Sequence, residues 1–154
     1  MLSKIDAKHT ITIIVETDPA IDLDSEQCNW PLYKATLDES HLVFKKDQDP
    51  TRFEIGLIPY RHLARIQDGA VKGVNAGPAS ERVIQVTPYL SAVEFVRHGV
   101  VDIKNLDGLE FKRTGTPRVV PDDVMNMISA WGVMAELSDH VMTFNKVTED
   151  DTKN

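Results

Sequence analysis

Apolar and polar positions change rhythm several times along this chain, and each change marks an element. Thr10-Ile11-Thr12-Ile13-Ile14-Val15-Glu16 alternates, which sets Ile11, Ile13 and Val15 on one face of a half-buried strand. Asp18-Pro19 ends it, and the acidic run to Asn29 predicts a loop or one short helical turn. Trp30-Pro31-Leu32-Tyr33 reads as aromatic cover for a core rather than an exposed contact, because large aromatics are usually at least partly buried. Alternation returns at His41 to Lys46 and at Arg52 to Leu57. Leu42 and Phe44 face one way, Phe53, Ile55 and Leu57 do the same on the return strand, and Asp47-Gln48-Asp49-Pro50 joins the two as a hairpin. Lys34 to Leu37 suggests a further strand beside it.

From Pro59 the period becomes helical. A helix runs from there through Gln67, with Leu63 and Ile66 for packing. Gly69, Gly73 and Gly77, closed by Pro78, predict a flexible excursion. The glycines around Lys72 lack the closing Gly-Lys-Ser/Thr of a phosphate loop. Thr87-Pro88 then reads as N-cap and first helical position of a helix that carries Leu90, Val93, Phe95 and Val96 and stops at His98-Gly99. Gly99 to Leu106 is β-branched and alternating, Asp107-Gly108 is a tight-turn signal, and Leu109 to Arg113 pairs back.

Beyond Pro121, apolar residues fall at Val124, Met127, Ile128, Trp131, Met134, Ala135, Val141 and Met142, interrupted only by Ser138 and closed by Asn145. This spacing predicts one long amphipathic helix with Asp122 and Asp123 at its positive end. Gly132 weakens it by about 1 kcal/mol relative to Ala and permits a kink or a close crossing. Together the elements predict an α+β protein: a single domain over residues 1–147, a small hairpin-based antiparallel sheet packed with about three helices, a long C-terminal helix, and an acidic tail over 148–154. Thr148-Glu149-Asp150-Asp151 has the form of an N-cap and acidic first turn, so the tail is expected to start a final helical turn.

Composition narrows the partners. The net charge of −7 speaks against a nucleic-acid surface, which needs clustered Lys and Arg. It serves solubility or, more specifically, docking to a basic partner. Cys28 is the lone cysteine, so no intrachain disulfide forms. Ile11 to Val15, the longest apolar run, is too short to span a bilayer, and no membrane step is expected.

No residue pattern points to catalysis, a metal or a cofactor. His9, His41, His62, His98 and His140 lack ligand spacing. Asp22, Asp24 and Glu26 begin like a calcium loop, but Gln27 and Tyr33 stand where Gly and Glu are required. Ser91 and Ser129 fall inside helices without elbow glycines. Surface chemistry remains. Met125, Met127, Met134 and Met142 put four of the five methionines on the long helix around Trp131. They are core, or else Trp131, Met125, Met134 and Met142 form a contact surface for another chain. Glu149, Asp150 and Asp151 in the tail are candidates to face Lys or Arg of a neighbouring chain.

The block Val96-Arg97-His98-Gly99-Val100-Val101-Asp102-Ile103-Lys104-Asn105-Leu106-Asp107-Gly108, followed by Gly115-Thr116-Pro117, the helix Val124 to Asn145 and the close Asn145 to Asn154, resembles small proteins of tailed bacteriophages. The resemblance is to tail assembly chaperone-like proteins encoded among tail genes, and Asp49 to Ile55 is similar to their early strand. It covers about half the chain; Val147 stands where Leu is expected, and the 69–78 segment is outside the pattern. It implies no catalytic residue. It implies contacts with other phage structural or tail proteins, or a homo-oligomer, located in the virion or the host cytoplasm. An acidic inhibitor or adaptor that binds a basic host factor is the alternative.

Overall fold

The computed structural model describes the backbone of residues 9–74 and 80–153, and the side chains of 9–68 and 90–146. Its class is α+β. A three-stranded antiparallel sheet is built from β1 (Thr10–Ile13), β2 (Arg52–Gly56) and β3 (Val100–Lys104), in the order β1-β2-β3. Five α-helices accompany it among the described residues: α1 (Trp30–Thr36), α2 (Tyr60–Val74), α3 (Ser80–Gly99), α4 (Asp122–Trp131) and α5 (Met134–Lys153).

The central strand is β2, not one arm of a hairpin. It pairs Ile13 with Phe53 on one side and Ile103 with Phe53 on the other, both antiparallel. The expected hairpin from His41 to Leu57 does not form. Its first arm is irregular, touching β-structure only through a bridge from Phe44 to Ile21. The reason lies in where the apolar side chains go. Leu42 and Phe44 pack with Ile14, Ile21 and Tyr33 in a small second cluster, whereas Phe53 and Ile55 enter the main core with Ile13 and Val15. β1 therefore leads into a segment buried on both faces: Ile13, Ile14 and Val15 are all fully enclosed. Each such side chain contributes about 1.5–3 kcal/mol by leaving water.

The residues expected as an extra strand at Lys34 to Leu37 belong instead to the end of α1. Asn29 caps that helix, its Oδ1 accepting from the Leu32 N–H at 3.1 Å, and Pro31 fits its first turn. Tyr33 is buried as cover, with its hydroxyl accepting from the Ile14 N–H at 2.7 Å. α2 outlasts its expected end by a full turn and more, so Gly69 and Gly73 are helical rather than loop, while 75–79 lie outside the described residues. α3 begins no later than Ser80 and carries Pro88 in its interior, so Thr87 is not its cap. α2 and α3 pack along one another, and that pairing outweighs the local start signal.

The long helix is two helices. Gly132 adopts φ 81° and ends α4, donating its N–H to the carbonyls of Ile128 and Ser129, and Val133 begins the turn into α5. Val124, Met125 and Ile128 of α4 and Val133, Met134, Leu137 and Val141 beyond it share the main core. α5 continues to Lys153, so the expected tail is the end of a helix rather than a separate segment. Leu109 to Arg113 forms no strand; a single bridge from Leu106 to Leu109 closes the Asp107-Gly108 turn, and a second bridge joins Thr114 to Val119. Among the described residues no helix is long and apolar enough to cross a membrane.

Candidate functional site

Three connections meet at one end of the sheet and leave an open cleft of about 540 Å³ against the last turn of α4. The loop after β1 brings Asp18, Pro19 and Ala20; the approach to β2 brings Gln48, Asp49 and Thr51; the turn after β3 brings Asn105, Leu106 and Asp107. Met127, Ile128 and Trp131 supply the wall from α4.

Polar side chains hold these loops together. Asp18 is 4% exposed, and its two carboxylate oxygens accept from the N–H groups of Ala20 and Thr51, both at 2.9 Å. It thereby ties the loop behind β1 to the strand that β1 pairs with. Asp49 bridges the other way, accepting from Arg52 Nη1 and from Asn105 Nδ2, each at 2.7 Å. Asn105 also donates to the Pro50 carbonyl at 3.2 Å, and its own carbonyl accepts from Thr51 Oγ1 at 3.0 Å. Arg52 grips both carboxylate oxygens of Glu39 at 2.8 and 3.0 Å. Those contacts, with Glu39 first, raise the Arg52 pKa, and Arg52 in turn holds the Asp49 carboxyl below its usual range. The cleft is thus preorganised rather than formed by mobile loop ends.

Its surface has two characters. Ile128 and Leu106 are buried beneath it, and Trp131 is half-buried with its ring 6.0 Å from that of Phe53. Asp49 and Asp107 are exposed at its margin. Asp107 lies in the tight turn, at φ 32° followed by Gly108 at φ 75°, which holds it clear of the sheet. Among the described residues that line the cleft there is no Lys, Arg or His; Lys45 reaches only the Pro19 carbonyl, at 2.9 Å. An apolar aromatic wall with carboxylates at its edge is suited to a cationic side chain that has an apolar stem.

The outer strands are less open to a pairing neighbour than their edge positions suggest. At the end of β1 the Ile14 N–H is taken by Tyr33, and in β3 the Ile103 N–H donates to Asp102 Oδ1 at 2.9 Å. Among the described residues no three His, Cys, Asp or Glu side chains stand together as a metal set.

The residues singled out from sequence part company here. Trp131 lines the cleft. Met125 and Met134, 5% and 6% exposed, are core side chains and offer no surface to a partner, because α4 and α5 turn them inward on either side of the Gly132 break. Met142 is half-buried against the main core, with Ser138 Oγ 3.8 Å from its sulfur. Glu149, Asp150 and Asp151 fall in the last turns of α5, and their side chains lie outside those described. Asp18, Asp49, Asn105 and Asp107 are not among the site candidates the sequence offers, and Met127 enters there only as one of the methionines around Trp131. The sequence signals for the acidic residues are Asp18-Pro19, Asp47 to Pro50 and Asp107-Gly108 as turn and loop formers. Their convergence depends on both strands flanking β2. Comparison with models of known families, with curated proteins and with solved structures yields no match.

Proposed function

We propose that this protein is a non-enzymatic component of tailed-bacteriophage assembly, acting by protein–protein contact, with the cleft beside Trp131 as the docking site for a basic segment of a structural partner. The observation that supports it is the pairing of an apolar Trp131–Met127 wall with the exposed Asp107 carboxylate, beside Asp49, which Arg52 and Asn105 already engage. A Lys or Arg seated on Trp131 gains about 0.5–2 kcal/mol, depending on how far it is desolvated. Exposed carboxylate pairs add about 0–1 kcal/mol each and mainly select and orient the partner. The phage assignment rests on the sequence resemblance across Val96 to Gly108 and the C-terminal helices, and places the protein in the virion or in the host cytoplasm during assembly.

A photo-crosslinking residue at position 131, introduced in the phage-producing cell, tests this. The expected product is an adduct with a structural protein of the particle, diminished by Asp107→Arg. An adduct with a host factor would favour the inhibitor or adaptor alternative. Absence of any adduct under conditions where a crosslinker at another exposed position reacts would remove the docking role of the cleft.

A further inference from the structure

The strand β3 and the helix α4 both run between two ends of the molecule with opposite character. At one end, Asn105 to Asp107 and Trp131 close the acidic cleft. At the other, Arg113 Nη2 donates to the His98 carbonyl at 3.1 Å, just before β3, and Arg97 pairs with Asp122 at 2.7 Å at the start of α4. The five extended residues of β3 separate His98 and Gly99, at the end of α3, from Asn105, a span of about 16 Å. The segment Lys112-Arg113-Thr114-Gly115-Thr116-Pro117-Arg118 thus projects from the opposite end, closed on itself by the Thr114–Val119 bridge.

That loop is basic in a chain of net charge −7: it holds Lys112, Arg113 and Arg118 and no carboxylate. Arg113 Nε is buried without a hydrogen-bond partner, and neither Lys112 nor Arg118, both exposed, pairs with a described carboxylate. The nearby Glu94 and Asp122 are engaged by Arg97 and His98. One end of the molecule therefore presents Lys112 and Arg118, unpaired among the described residues, on a short, proline-bearing loop. The other presents the exposed Asp107 carboxylate beside an aromatic wall.

We propose that the partner of the cleft is a second copy of this chain, whose 112–118 loop docks against Trp131 beside Asp107. This inference rests on the docking reading of the cleft and adds the identity of the occupant. Because loop and cleft lie at opposite ends, the contact is head-to-tail. Repetition then gives a ring if the rotation closes and a filament if it does not, and it does not stop at a two-fold dimer. Charge pairing across such a contact is screened by salt.

Sedimentation velocity of the full chain across the micromolar range, at about 20 mM and about 500 mM NaCl, is the test. Wild type is expected to grow beyond the dimer with concentration at low salt and to fall back toward monomer at high salt. Arg118→Glu and Asp107→Arg should each weaken association at least about tenfold, while their equimolar mixture should associate again, since each supplies the complement the other lacks. Lys112→Glu serves as a second loop variant, and thermal melts verify that all variants fold. A wild type that stays monomeric at low salt, a species that stops at the dimer, or a mixture no better than its components overturns the proposal. A monomeric wild type that still yields a position-131 adduct with another structural protein overturns self-association while leaving the docking reading intact; no adduct at all removes both.

Discussion

Asn145 and Ser138 are both buried polar residues on the inner face of α5, yet they do different things. Asn145 Oδ1 accepts from the Ile58 N–H at 2.9 Å, and its Nδ2 donates to the Val141 carbonyl at 2.8 Å. It joins the exit of β2 to the last helix. Asn145→Ala strands a buried backbone N–H and should cost about 1–3 kcal/mol. Ser138→Ala loses only a contact to the Met142 sulfur at 3.8 Å and should change stability by no more than about 0.5 kcal/mol. Urea unfolding midpoints separate the two; equal effects would show that the Ile58 bond does not stabilise the fold. The sequence displays both as polar interruptions of an apolar stripe. Which one carries a hydrogen bond depends on Ile58, which is 87 residues away from Asn145 along the chain.

Glycines decide two features at the level of elements, and for opposite reasons. Gly132 is a backbone requirement: its φ is 81°, and a Cβ there meets nothing within 4 Å. Gly132→Ala should cost about 1–2 kcal/mol, from left-handed strain alone. Gly99 is a packing requirement, because a Cβ there runs into the Val141 side chain where α3 crosses α5. Gly99→Ala should cost about 1–3 kcal/mol in the wild-type background and markedly less in Val141→Ala. A double-mutant cycle on chemical unfolding measures the difference; strict additivity would mean that the crossing is not limited by that contact. The sequence marks Gly132 as the site of a kink or a crossing. The structure divides those two roles between Gly132 and Gly99.

For the molecule as a whole, acid stability follows from which ionisable groups are enclosed. Burial pushes the pKa of His98 down; Glu94 opposes this, while His62, Arg113 and Arg97 reinforce it. The two imidazoles of His62 and His98 stack 5.0 Å apart and tie α2 to α3. His140 is also pushed down, by burial first and then by Lys34, with Asp139 opposing. A lowered histidine pKa means that the unfolded chain takes up protons more readily than the folded one. Stability from His98 and His140 is therefore present above about pH 6.5 and is lost as pH falls through their folded values. Glu136 has the opposite sign, since burial raises its pKa and protonation in the carboxylate range relieves the cost. The melting temperature should thus fall on acidification from pH 7.5 toward pH 5.5, and His98→Gln with His140→Gln should flatten that slope. An unchanged slope in the double variant would exclude both histidines as its source.

Period and turn chemistry alone determined much here. They marked the strand containing Thr10 to Ile13, the strand containing Val100 to Lys104, the Asp107-Gly108 turn, the Pro59 helix start with Leu63 and Ile66 inward, and the α+β class, because each is set by contacts within a few residues. Trp131 stood out for the same local reason. Tertiary structure decided the rest. Whether Leu42 and Phe44 extend a hairpin or fill a second cluster depends on Tyr33 and on Ile14, the latter remote in sequence. Whether Pro88 starts α3 or lies within it depends on the packing of α2. The cleft depends on most of all: Asp18, Asp49 and Asn105 meet only because β1 and β3 both pair with β2, a choice made by long-range burial that no local pattern encodes.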